Sequence, residues 1–261
     1  TLGWSVSQAV EKIRGPKGTE VMLSLIHENT TKSEDVKITR DIITVKSVEG
    51  RIEKWKIESG KLKVDENCDK CSKIAYIRLS QFGDQTNKEW ISLVNSLSLQ
   101  IEKDQPLGLI LDLRNNPGGY LTDAVFIASE FLGVGKTVVL EEGHDNKRNF
   151  SVTRKGYFTK IPLIILINKG SASASEIVAA AMIDNNRAIL IGDTSFGKGT
   201  IQMADDLGNG AGIHITIAKW LTPKGVWVNG KGLKPDIEVK PDDKDKNRDT
   251  QLERAVEELL K

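Results

Sequence analysis

Pro162-Leu163-Ile164-Ile165-Leu166-Ile167-Asn168-Lys169-Gly170-Ser171-Ala172-Ser173-Ala174-Ser175-Glu176 is the stretch on which the fold turns. The apolar run from Pro162 to Ile167 has the length of a buried strand, far short of the ~18 residues of a membrane span. Ser175 to Asp184 is alanine-rich and reads as a helix. The turn between them is built of glycine, alanine and serine. Small residues let another backbone approach closely, and a helix N-terminus offers unpaired N–H groups to an anion. Serine is also the ordinary helix N-cap. Alone, the turn is either a cap or the seat of a nucleophile.

Outward from this unit, strands and helices keep alternating. Ile74 to Leu79 predicts a strand, and Leu93, Val94, Leu97 and Ile101 mark an amphipathic helix from about Thr86 to Lys103. Leu107 to Leu113 predicts a second buried strand, Thr122 to Leu132 a helix, and Thr137 to Leu140 a strand. Ala188 to Ile191 predicts another strand, followed by a loop over Gly192 to Gly199, and Thr200 to Met203 looks extended. Ile213 to Ala218 alternates as a strand, and a last helix from about Thr250 to Leu260 follows the charged linker Asp242 to Asp249. Alternation of this kind implies an α/β core. Residues 41–73 read as short connecting strands. Residues 1–40 read as helix, turn and hairpin: Ser5-Val6-Ser7-Gln8 has the form of a capping box, Gly15-Pro16-Lys17-Gly18 stops the helix, and Val21, Leu23 and Leu25 face Val36 and Ile38. That piece is too small to be a complete domain.

Composition narrows the function classes. The 261 residues carry a net charge of +1, with 39% hydrophobic and 28% charged residues, so neither nucleic acid nor an anionic membrane is indicated as partner. The chain opens Thr1-Leu2-Gly3-Trp4 with no starting methionine and no signal peptide, and the expectation is the remainder of a longer protein. Cys68 and Cys71 form a lone Cys-Asp-Lys-Cys, and the three histidines, His27, His144 and His214, are scattered. A zinc site would need two further ligands at suitable spacing; a disulfide or two idle thiols in a loop fits better.

Two more segments carry chemical potential. Gly192-Asp193-Thr194-Ser195-Phe196-Gly197-Lys198-Gly199 nearly spells a phosphate-binding loop, but Gly199 stands where Ser or Thr would hold magnesium and no helix follows. Arg114-Asn115-Asn116-Pro117-Gly118-Gly119 is a turn whose paired glycines free the backbone to present N–H groups. A serine needs an adjacent base to be a nucleophile. A lysine serves only when neutral; its free pKa is about 10.4, and burial can lower that by several units. A histidine triad fares worse: there is no Gly-x-Ser-x-Gly elbow, and only His214, on a predicted strand, is a possible base.

Taken together, Gly170–Glu176, Gly197-Lys198-Gly199-Thr200-Ile201-Gln202 and Asp112–Gly119 resemble the carboxyl-terminal processing peptidases, the tail-specific proteases of peptidase family S41. The resemblance continues through Thr222-Pro223-Lys224-Gly225 and Gly232–Asp236, and covers about residues 5 to 240. It implies a ClpP/crotonase-like α/β peptidase core over residues 74–240, followed by the charged linker and C-terminal helix of residues 241–261. It implies Ser173 as nucleophile, Lys198 as general base and Gln202 as the residue that orients the lysine. The oxyanion hole would be the N–H of Ala174 with that of Gly118 or Gly119. No metal or organic cofactor is implied. The implied partners are proteins or peptides gripped by their C-terminal tails, with room for a homo-oligomer and none for nucleic acid, in an extracytoplasmic setting. Residues 1–40 resemble the second half of the family's PDZ domain; the first half, which carries the carboxylate-binding loop, has no counterpart in this sequence. The alternatives are a latent or non-catalytic peptide-binding scaffold of the same fold, and a nucleotide-binding protein using Gly192–Lys198.

Overall fold

The computed structural model describes residues 3–28, 30–43, 46–59, 61–208, 211–245 and 248–261. The chain divides into two compact units, residues 1–45 and 46–261.

The smaller unit begins with α1 (Val6–Ile13). Ser5 caps it as the sequence predicts: the Gln8 N–H donates to Ser5 Oγ at 3.3 Å and the Ser5 N–H donates to Gln8 Oε1 at 2.8 Å. Strands β1 (Glu20–Ile26) and β2 (Ser33–Thr39) form an antiparallel hairpin with Leu23 opposite Val36. The Arg40 guanidinium donates to the carbonyls of Ile13 and Glu20 and so ties helix to hairpin. None of the described residues in 3–43 is buried. One helix and one hairpin do not close a core.

The larger unit is built on a seven-stranded sheet. Its strands are β3 (Val48–Glu58), β4 (Lys61–Val64), β5 (Ser72–Leu79), β6 (Leu109–Asp112), β9 (Leu163–Ile167), β10 (Ile189–Gly192) and β13 (Ile237–Glu238), in the order β13-β10-β9-β6-β5-β3-β4. The strands from β5 to β13 run parallel, while β3 and β4 add an antiparallel edge. β3 is long rather than a short connector, because it pairs with β5 along eight residue pairs on one side and with β4 on the other.

The period-two alternation of the strands sorts their side chains onto two faces. Ile77, Leu79, Leu109, Leu111, Leu113, Ile165 and Ile167 pack with Trp90, Val94 and Leu97 of α2 (Thr86–Asp104), with α3 (Leu121–Ala128) and with α4 (Ala174–Asp184). Ile74, Tyr76, Ile110, Ile164, Leu166 and Ile191 pack on the other face with Ala255 and Val256 of α5 (Thr250–Leu259). All five residues of β9 are buried because helices cover both faces of the sheet, which is why 162–167 is apolar without interruption. α3 stops at Ala128, short of the predicted Leu132; there the Ser129 hydroxyl donates back to the Val125 carbonyl at 2.7 Å.

A second, antiparallel sheet has the order β11-β12-β7-β8, formed by β7 (Thr137–Gly143), β8 (Lys147–Ser151), β11 (Thr200–Gly208) and β12 (Ala211–Leu221). Its edge strand β11 leaves directly from the loop that follows β10.

Candidate active site

In parallel sheets, functional loops gather beyond the carboxyl ends of the strands. Here three such loops meet: 113–120 after β6, 168–173 after β9, and 193–199 after β10. Two of the three serines after β9 stitch these loops together. Ser171 Oγ donates to the Leu113 carbonyl and Ser175 Oγ to the Asn116 carbonyl, both at 2.9 Å, and the Ala172 N–H also donates to the Asn116 carbonyl. Ser173 is left half-buried on the wall of a cavity of about 480 Å³.

Ser173 is the residue before α4 and has φ 55° and ψ −116°. A non-glycine residue in such a region costs on the order of 1–3 kcal/mol and persists only where its surroundings enforce it. The Glu176 carboxylate enforces it, accepting the Ser173 N–H at 2.8 Å. The result is a sharp strand-to-helix elbow without the Gly-x-Ser-x-Gly signature, made possible by Ala172 and Ala174 on either side.

Glu176 is fully buried. It also accepts the Ser195 hydroxyl at 2.6 Å, the Gly197 N–H at 2.7 Å and the Lys198 N–H at 2.9 Å. The N–H groups of the loop that resembles a phosphate-binding turn are therefore already taken by the Glu176 side chain, and the loop runs into strand β11 rather than a helix. Both facts remove the nucleotide-binding reading.

Lys198 and Gln202 line the same cavity as Ser173, together with Gly119, Leu121, Glu141, Arg148, Phe150, Ile177, His214 and Trp220. Lys198 is half-buried; Gln202 is exposed, on β11 opposite Thr216. No hydrogen bond joins Lys198 Nζ to Ser173 Oγ or to Gln202 among the described residues, and catalytic hydrogen bonds are often looser in resting enzymes. The two candidate oxyanion glycines differ. The Gly118 N–H donates to Asn116 Oδ1 at 2.8 Å, whereas the N–H groups of Gly119 and Ala174 have no hydrogen-bond partner among the described residues. Asn116 is itself fully buried and anchored by a bond from Nδ2 to the Leu79 carbonyl.

Residues 73–239 match peptidase family S41. The chain belongs to this family. It is 37% identical over 238 residues to the carboxy-terminal-processing protease of Bartonella bacilliformis, covering 91% of this chain and 51% of that one. It is 35% identical over 237 residues to the carboxy-terminal processing protease CtpA of Bacillus subtilis, covering 91% of this chain and 46% of the relative. The chain thus spans about half the length of these curated relatives. Among solved structures, the photosystem II D1 C-terminal processing protease superposes with a TM-score of 0.64 at 29% identity, over 87% of this chain and 57% of that one. Mature CPAF has a TM-score of 0.60 at 13% identity, over 95% and 66%, and shares the fold.

Several residues around the cavity and the Lys198 loop are not marked out by the sequence. Glu176 carried a signal, since Ser173 and Glu176 stand at the spacing of a capping box. Trp220 and Trp227, which hold the lysine loop from across β12 and the segment after it, carried none. The β7–β8 hairpin contributes Glu141, Arg148 and Phe150 to the cavity, yet only 137–140 read as strand, because the rest of the hairpin is charged.

Proposed function

We propose that this chain is a serine endopeptidase that cleaves protein substrates near their C-termini through a Ser173–Lys198 dyad and an acyl-enzyme intermediate. The observation that carries the reading is the strained Ser173 elbow sharing one cavity with Lys198, beside the N–H groups of Gly119 and Ala174, which have no hydrogen-bond partner among the described residues.

Neutral Lys198 accepts the hydroxyl proton as Ser173 Oγ attacks the scissile carbonyl carbon. The carbonyl oxygen becomes an oxyanion facing the N–H groups of Ala174 and Gly119. Gly118 is the weaker donor, because its N–H is engaged by Asn116. As the C–N bond breaks, the Lys198 ammonium returns its proton to the leaving amine. Water, deprotonated by the same lysine, then cleaves the Ser173 ester and restores the hydroxyl. Gln202, at the cavity wall, orients the lysine amine. The chemistry asks for no metal or organic cofactor.

Residues 1–40 are read as the second half of a PDZ domain, which binds peptide ends by strand addition. The reading carries with it a setting outside the cytoplasm, supported by the Cys68–Cys71 disulfide, which accords with an oxidising compartment. A latent scaffold is the second reading, favoured by the absence of a hydrogen bond between Ser173 and Lys198.

Ser173→Ala and Lys198→Ala, assayed separately on an unfolded protein substrate, test the mechanism. Each is expected to abolish cleavage, and activity surviving both changes overturns it. An inactive unsubstituted chain whose Ser173 also resists a fluorophosphonate favours the latent scaffold. Substrates with free and amidated C-termini test tail selection, which fails if both are cut at the same rate.

A further inference from the structure

The backbone around Lys198 is held by side chains on every side. Glu176 accepts the N–H groups of Gly197 and Lys198. The indole N–H of Trp220 donates to the Lys198 carbonyl at 2.8 Å, and that of Trp227 to the Gly199 carbonyl at 2.9 Å. The Gly199 N–H donates to Asn229 Oδ1 at 3.1 Å, and the Trp220 N–H donates to the Gly199 carbonyl, also at 3.1 Å. Contact is close: a Cβ on Gly199 would stand 2.6 Å from Trp227 Nε1 and 2.8 Å from Asn229 Cβ. Trp220 is 1% exposed and lines the cavity, whereas Trp227 is 45% exposed, with the Lys219 ammonium 5.7 Å from its ring centroid.

We propose that Trp220 and Trp227 are positioning residues for the general base, fixing the Lys198–Gly199 peptide through their indole N–H groups so that Lys198 closes on Ser173 by turning its own side chain, not by movement of the loop. The inference rests on Lys198 being the base. Two consequences follow. A fixed backbone limits the search for the reactive geometry to the lysine's own torsions, and small misplacements of a reacting group are costly. The indoles also engage the carbonyl oxygens of Lys198 and Gly199. With its indole partner removed, the Lys198 carbonyl is left as an open acceptor that recruits water, and the peptide it belongs to is free to tilt and carry the lysine out of register with Ser173.

The test uses Trp220→Phe and Trp227→Phe in the full chain, which keep an aromatic ring and remove only the donor. Two readouts are taken: kcat and KM on an unfolded protein substrate, and the rate at which a fluorophosphonate reagent modifies Ser173. Trp220→Phe is expected to lower kcat and the labelling rate about tenfold and to leave KM within about twofold. Trp227→Phe, which touches the carbonyl one residue further from the lysine, is expected to act in the same direction by less. A merely structural role would lower thermal stability while leaving kcat and the labelling rate of the folded protein unchanged. If Trp220→Phe does not fold, Trp227→Phe alone decides. Unaltered kcat and labelling rates in the folded variants, with labelling still lost in Lys198→Ala, overturn this inference alone. Labelling of Ser173 that survives Lys198→Ala, or an unsubstituted chain that is not labelled, overturns the dyad and this inference with it.

Discussion

The carboxylate of Glu176 accepts the backbone N–H of Ser173 at 2.8 Å. The same side chain accepts the N–H of Lys198 at 2.9 Å, so one buried group spans the candidate nucleophile and the candidate base. It forces the elbow at the first and fixes the loop that carries the second.

Glu176→Gln retains the shape but turns an amide NH₂ toward donors that need an acceptor. Displacement of either loop by about 1 Å is enough to cost on the order of 10²-fold in rate. The expected result is a fall of that size in kcat with KM within about threefold. Thermal unfolding is expected to drop by several degrees, since unsatisfied buried donors cost about 1–3 kcal/mol each. A variant that melts earlier but keeps its kcat would show that Glu176 serves the fold alone.

Gly119 has φ 146°, and a Cβ there would lie 1.8 Å from the Phe82 carbonyl oxygen. Gly119→Ala must therefore move the turn away from the oxyanion position. A lost oxyanion donor costs roughly 10²–10³ in rate. The variant is expected to lose that much in kcat/KM and to react correspondingly slowly with a fluorophosphonate. Near-normal rates would move the oxyanion contact to the N–H groups of Gly118 and Ala174.

The legibility of this molecule followed the range of the interactions. β9 and α4 were readable because their signals are local: an apolar run, then small residues and an alanine-rich helix. Ser173, Lys198 and Gln202 stand out as candidates because they lie in short motifs. The contacts that hold them could not. Trp220 meets the Lys198 carbonyl from 22 positions away, and nothing in the spacing of either residue announces it. The charged run 141–149 hid the β7–β8 hairpin, because strands with solvent on one side tolerate charge and lose the apolar pattern that identifies a strand.

Long range also governs the acid response. Arg114, beside the candidate oxyanion turn, makes paired bonds with Asp112 and with Asp249, the N-cap of α5. Burial works to raise the Asp249 carboxyl, but the Arg114 guanidinium outweighs it and holds the group below its ordinary value. A carboxylate depressed in the folded state adds stability above its unfolded pKa of about 3.9 and loses it as pH falls through the folded value. Asp249→Asn is therefore expected to melt below the unsubstituted chain at neutral pH, with the gap closing as pH falls below about 4. A gap that is constant from pH 7 to pH 3, measured by thermal melts, would sink the assignment.

The Cys68–Cys71 disulfide closes a loop with a sequence separation of three residues. It precedes the amino end of β5, whereas the loops carrying Ser173 and Lys198 follow the carboxyl ends of β9 and β10, strands that run parallel to β5. The crosslink and the site thus lie at opposite ends of the sheet. In the chain-entropy account so short a loop contributes about 2 kcal/mol, equivalent to a melting shift of about 4–8 °C for a unit of this size. Reduction, or the pair Cys68→Ser and Cys71→Ser, is expected to lower the melting temperature by no more than that and to leave kcat/KM within about twofold. A large loss of activity in the reduced, folded protein would mean that the β4–β5 connection is coupled to the catalytic loops through the sheet, and would make the disulfide a determinant of the site and not only of its scaffold.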